Sequence, residues 1–163
     1  MLSAMKILFV CLGNICRSPA AEAVCRDLLE KRSITGVSLD SVGTSAYHQG
    51  DSADGRMRKA AARRGVTISH ASRQLKKQDL DRFDLILAMD RDNYRDIIEL
   101  ASDHGQKQKV RLFRDYDPEG TGDVPDPYFG GRGGFELVMD MLTRTCDNLI
   151  ETLSEQEYGQ NTP

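Results

Sequence analysis

The strongest constraint on this chain is the continuous apolar run Ile7-Leu8-Phe9-Val10. It ends on Cys11 and passes through Leu12-Gly13-Asn14-Ile15-Cys16-Arg17-Ser18-Pro19 into a helical pattern from Ala20 onward. A run without polar alternation fits a strand covered on both faces, as in a parallel sheet between helix layers. The strand-turn-helix unit that follows aims backbone N–H groups and the positive end of the helix dipole at one point. Cys11 and Arg17 flank that point, so the segment reads as a nucleophile seated in a cradle for a tetrahedral oxyanion, lined by Leu12, Gly13, Asn14, Ile15, Cys16, Arg17 and Ser18.

Each residue type there has a physical reason. Thiols at helix N-termini beside an arginine ionise at roughly pH 3.5–7.5, so Cys11 is expected as a standing thiolate. The planar guanidinium of Arg17 can hold two oxygens of a phosphate at once, which lysine cannot. Gly13 and Asn14 are the residues expected at positive φ, and Ser18 is expected as the N-cap with Pro19 at the first helical position. A Walker loop is excluded, because no lysine follows a Gly-x4-Gly pattern.

Apolar runs then alternate with helical patterns. The sequence predicts strands at 6–11, 37–43, 84–89 and 109–113, and helices at 19–32, 54–64, 91–101 and 134–153. This βαβ alternation implies an α/β fold with a four-stranded parallel sheet flanked by helices on both faces. Phe135, Val138, Met139, Leu142, Cys146, Leu149, Ile150 and Leu153 recur at three-and-four spacing in the last helix and belong to the core. Ligands of such sheets bind beyond the strand carboxyl ends at a topological switch point, where Cys11 falls.

The 163 residues, 39% hydrophobic and 29% charged, suit one domain spanning 1–163, with 154–163 expected as a frayed tail. A net charge of −3 gives no support to a nucleic-acid partner, and Arg56, Arg58, Lys59, Arg63 and Arg64 read as the solvated face of a helix. The N-terminal apolar stretch is too short to span a bilayer, and no signal sequence precedes it, so a cytoplasmic protein without a membrane partner is expected. Cys11, Cys16, Cys25 and Cys146 form no zinc-type spacing, so neither metal nor cofactor is expected. Cys25 and Cys146 fall on apolar helix faces. For Cys16, simple packing and a disulfide with an oxidised Cys11 are equally consistent with the spacing.

The segment 114–133 is rich in aspartate, proline and glycine and is long enough to be functional, so it is expected to lie over the anion site. A leaving alkoxide or phenolate needs a proton donor, and Asp115, Asp117, Asp123 and Asp126 are all candidates. His48 and His104 are expected at the surface, and His70 as a local backbone cap.

The run Cys11 to Pro19, together with Asp126-Pro127-Tyr128-Phe129 far downstream, resembles the low-molecular-weight protein tyrosine phosphatases, and the resemblance covers nearly the whole chain. It implies a Rossmann-like phosphotyrosine phosphatase I fold and a hydrolase that uses a phosphocysteine intermediate. In that reading Cys11 is the nucleophile, Arg17 the anion clamp and Asp126 the general acid. The resemblance also implies that Asn14, Ser18, Ser41 and His70 support the loop. Leu12, Ile15, Tyr47 and Tyr128 would line a slot for a flat ring, and Cys16 would be the redox partner of Cys11. Partners would be phosphotyrosine-containing proteins, acted on by a monomer or weak dimer. A similar branch that dephosphorylates arginine carries threonine where Ile15 stands, so Ile15 argues for tyrosine. Phe129 replaces a second tyrosine found in mammalian relatives, which removes regulation through that position.

Rival readings remain. A thioredoxin-coupled arsenate reductase would need further mid-chain cysteines, and none lies between Cys25 and Cys146. A non-catalytic phosphate-binding module would have no use for both Cys11 and Asp126.

Overall fold

The computed structural model describes residues 4–129 and 134–160. Four parallel strands, β1 (Met5–Cys11), β2 (Val37–Gly43), β3 (Leu85–Ala88) and β4 (Val110–Leu112), lie in the order β2-β1-β3-β4. β1 is central, and its Phe9 stands in register with Ser41 of β2 and Leu87 of β3. The chain therefore leaves β1 toward one side of the sheet and later returns on the other. Cys11 ends β1 at that reversal, the crevice where open α/β sheets hold ligands.

The side-chain period of two sorts β1 between two cores. Ile7, Phe9 and Cys11 pack with residues of α1 (Arg17–Lys31), α2 (Gly55–Ala62) and α6 (Gly134–Gln160). Leu8 and Val10 face the opposite side, with Leu80 of α3 (Asp79–Arg82) and Ile97 of α4 (Arg91–Leu100). Both faces of β1 are thus covered, which is why its sequence shows no polar alternation. Phe9 meets Phe113 edge to face at 6.0 Å and ties the central strand to the turn after β4. Cys25 and Cys146 are buried where α1 packs on α6.

Several boundaries differ from the sequence expectation. α1 begins at Arg17, with Cys16 as N-cap, rather than at Pro19 behind a Ser18 cap. The Ser18 hydroxyl lies between the Cys11 sulfur and the Val42 carbonyl, so it is not available to cap the helix. α3 and the short α5 (His104–Gln108) had too few turns to show a period. α6 runs to Gln160, so residues 154–160 of the expected frayed tail are helical. Ser154-Glu155-Gln156-Glu157 contains no helix breaker. Residues 161–163, like 130–133 of the long loop, lie outside the described residues. No described helix is long and apolar enough to cross a membrane.

The loop after β4 is anchored through Asp117, whose side chain is fully buried. It accepts bonds from Arg114 Nε at 2.8 Å, from Arg144 of α6 at 2.9 and 3.0 Å, and from the Glu119 N–H at 2.9 Å. Burial works against the charge, but Arg144, the Glu119 N–H and Arg114 outweigh it and hold the carboxyl down to about 2. A folded pKa below the unfolded value, about 3.9, confers stability that is present above pH 4 and lost as pH falls toward 2. By linkage it is worth about 2–3 kcal/mol. Asp117→Asn is therefore expected to lower stability by about 2–3 kcal/mol at pH 7. In denaturant titrations this gap should close between about pH 4 and 2, whereas a gap that stays constant would place the stabilisation elsewhere.

Candidate active site

Asn14 is buried and sits at φ 56, a left-handed conformation that asparagine tolerates better than most residues. That bend turns its N–H onto Cys11 Sγ at 3.2 Å, while Ser18 Oγ lies 3.0 Å from the same sulfur. Gly13, by contrast, is not at positive φ. A Cβ at Gly13 would come within 3.0 Å of His48 Cδ2, so the glycine lets the His48 ring lie close against the loop.

The bend is held from every side. Asn14 Nδ2 donates to Ser18 Oγ at 2.7 Å and to Ser41 Oγ at 3.1 Å. Its Oδ1 accepts from the Arg73 N–H at 3.1 Å and meets His70 Nε2 at 2.7 Å. Ser72 Oγ donates to the Gly13 carbonyl, and the backbones of Thr44 and Ser45 donate to Cys11 and Leu12. His70 is therefore not a local backbone cap. Burial presses its imidazole toward the neutral form, while the Glu22 and Asp40 carboxylates pull it toward the charged one.

Arg17 is 2% exposed, so its guanidinium must be paired. Nη1 bonds Asp90 at 2.6 Å and the Val124 carbonyl at 3.0 Å, and Nη2 approaches Asp126 at 3.4 Å. Burial alone would lower its pKa, but the Cys11 sulfur, the Asp90 bond and the Asp126 charge raise it above the ordinary value. Asp90 was not singled out from the sequence. Its signal was an aspartate between an apolar strand and a helical pattern, and it does cap α4 through the Asn93 N–H at 2.8 Å.

Only one of the four acid candidates reaches the cavity. Asp115 accepts from the Leu112 N–H and Thr121, Asp117 is locked in its arginine cluster, and Asp123 accepts from the Arg91 N–H. Asp126 lines the pocket beside Arg17, with Oδ1 fixed by the Tyr128 N–H at 3.0 Å.

The cavity has a volume of about 490 Å³, and Cys11, Cys16 and Arg17, all buried, are part of its lining. Leu12, Ile15, Tyr47 and Tyr128 form its walls, joined by Ser45 and His48. His48 is half-buried and lines this cavity. Its ring stands edge-on to Tyr47 at 4.8 Å and tilts against Tyr128 at 6.0 Å. Arg56 is not merely solvated, since it pairs with Asp54 and lies over the Tyr128 and Phe135 rings. Arg63 and Arg64 likewise bind Glu136 of α6. Burial, then the Asp54, Cys11 and Asp126 charges, push the Cys16 thiol pKa up, so it stays protonated.

A nucleophile-bearing oxyanion loop at the switch point of a parallel sheet, faced by a carboxylic acid, defines the cysteine-dependent phosphatase class. The profile of the family described as low molecular weight phosphotyrosine protein phosphatase matches residues 6–159, and the chain belongs to that family of hydrolases. It is 42% identical to the low molecular weight protein-tyrosine-phosphatase of Streptomyces coelicolor, over 95% of this chain and 97% of the relative. A crystal structure of a protein tyrosine phosphatase from Entamoeba histolytica superposes with a TM-score of 0.89 at 45% identity, covering 93% of this chain and 98% of that one. The drosophila arginine phosphatase superposes at 0.84 with 31% identity, covering 91% and 97%.

Gly43 presses directly on the loop: a Cβ there would lie 2.7 Å from the Leu12 carbonyl oxygen and 3.1 Å from the Asn14 nitrogen. Gly43→Ala is expected to cost about 1–3 kcal/mol of stability. It should also reduce kcat/KM on an aryl phosphate far more than Asp117→Asn does at matched stability, and equal losses would show that the contact does not position the loop.

Proposed function

We propose that this chain hydrolyses phosphotyrosine in proteins, and small aryl phosphates, through a phosphocysteine formed on Cys11. The observation that carries this reading is the Cys11 sulfur in the cavity lining. There it receives the Asn14 N–H and faces the Ser18 hydroxyl, with Arg17 beside it and Asp126 on the rim. Cys11 attacks phosphorus in line while Asp126 protonates the leaving phenolate oxygen. Water then attacks the phosphocysteine with Asp126 as base, and the Ser18 hydroxyl stabilises the departing sulfur. Nη1 of Arg17 is committed to Asp90 and Val124, which orients the guanidinium plane so that its other edge and the loop amides can grip the equatorial oxygens. These roles use no metal.

A buried Ile15 between Leu12, Tyr47 and Tyr128 favours a flat ring over a charged guanidine, which supports tyrosine over arginine. The likeness to an arginine phosphatase keeps phosphoarginine as the second reading. Four free thiols suit a reducing, cytoplasmic setting. Under peroxide, oxidation of Cys11 to the sulfenic acid removes one of the charges that hold Cys16 protonated. Cys16, which lines the same cavity, would then condense with it to a disulfide with loss of water and shield it from further oxidation. A monomer or weak dimer acting without nucleic acid or membrane fits this role.

Phosphate release should be fastest from phosphotyrosine peptides, abolished in Cys11→Ser and lowered about 10²–10⁴-fold in Asp126→Ala. A phosphoarginine preference would overturn the Ile15 argument, and binding without turnover would leave only an anion-binding module. After peroxide, mass mapping should find a Cys11–Cys16 bridge and activity should return with a dithiol. In Cys16→Ser the loss should become irreversible, and equal recovery in both proteins would remove the protective role.

A further inference from the structure

Behind the phosphate loop, Glu22 of α1, Asp40 of β2 and His70 each bring one ligand atom within 4.8 Å of the others. The bonds around them leave a definite electrostatic gap. Asn14 Oδ1 accepts the Arg73 N–H, which fixes the orientation of that amide, so His70 Nε2 must be the proton donor in its 2.7 Å contact with Oδ1. His70 Nδ1 then points its remaining valence at Glu22 Oε1, 3.6 Å away. That oxygen is buried, on a side chain 8% exposed, and accepts no hydrogen bond among the described residues. Its twin Oε2 is taken by Arg26 at 2.8 Å. Two acceptors this close in a buried site leave a gap that a proton, a water or a cation would fill.

We infer that Glu22 Oε1, His70 Nδ1 and an Asp40 carboxylate oxygen form a binding site for a divalent transition metal of the zinc type. The donor set, one imidazole and two carboxylates, suits that class, and the ion would complete its shell with water. The Nε2–H of His70 on Asn14 Oδ1 is the outer bond that fixes tautomer and ring plane in such sites. Asp40 is 37% exposed and provides the entry side. Its Oδ1 accepts the Ser41 N–H and its Oδ2 accepts Arg73 at 2.8 and 3.2 Å, so the arginine moderates affinity without filling the gap at Glu22. A bound ion would cross-link α1, β2 and the His70 segment, and through His70 would brace the left-handed Asn14. The site is separate from the catalytic cavity, and its existence does not depend on which phosphoester is hydrolysed.

The Cys11 sulfur can itself ligate zinc, so the test uses Cys11→Ala. Calorimetric titration with zinc at neutral pH should show one equivalent bound. X-ray absorption should show nitrogen and oxygen neighbours at about 2.0–2.2 Å and no sulfur near about 2.3 Å. Adding Glu22→Gln, or separately Asp40→Asn, should weaken binding at least tenfold, and zinc should raise Tm only where both carboxylates are present. Absence of binding to Cys11→Ala, sulfur in the shell, or unchanged affinity in both double variants would each overturn the site.

Discussion

The candidate site is organised around one backbone bend, the left-handed Asn14 that turns its amide onto the Cys11 sulfur. Left-handed geometry costs roughly 1–2 kcal/mol for residues other than glycine. Glycine would adopt the bend freely but could not hold it. Asparagine supplies both a tolerated φ and a side chain whose two ends are bound by Ser18, Ser41, His70 and Arg73. The surrounding fold over-determines the conformation of the loop.

Arg17 extends the same logic to charge. A guanidinium at 2% exposure would be strongly disfavoured without partners, and the fold supplies two carboxylates and a carbonyl from the ends of β3 and the loop after β4. The buried guanidinium is thereby the joint between the loop after β1 and the loop that carries Asp126. Asp117 completes the arrangement from behind by fastening that second loop to α6 through Arg144. Its role is structural, although its composition and position resemble those of the catalytic candidate Asp126.

The cavity lining is built from contacts distant in sequence. His48 closes against Tyr47 and Tyr128, and Arg56 stacks over Tyr128 from α2. Neither residue belongs to a recognisable motif. A lone histidine in a loop and an arginine in a basic helix are usually surface groups, and only the approach of the loop after β4 to α2 gives them a wall to build.

The β1-loop-α1 unit was legible from sequence because its information is local. An apolar run, a Cys-x5-Arg spacing and a helix start lie within one short segment, and strand burial follows from the lack of alternation. The parallel sheet and the order of its main elements followed for the same reason. The Ser18 side chain defeated the local cap rule because a thiol and the Val42 carbonyl across the sheet claimed it first. Among four similar aspartates the sequence left the acid open, and only resemblance pointed to Asp126. Geometry separates them, since three are bound to neighbours elsewhere and one faces Arg17. The Asp90–Arg17 pair and the Glu22–Asp40–His70 cluster join residues far apart in the chain, beyond what spacing rules for metals or catalysis detect. The sequence by itself determined a cysteine held at the end of a buried strand, because burial and backbone geometry are set by neighbours along the chain. Tertiary structure alone decided which charges meet that cysteine and its arginine, because electrostatic pairing depends on distance through space.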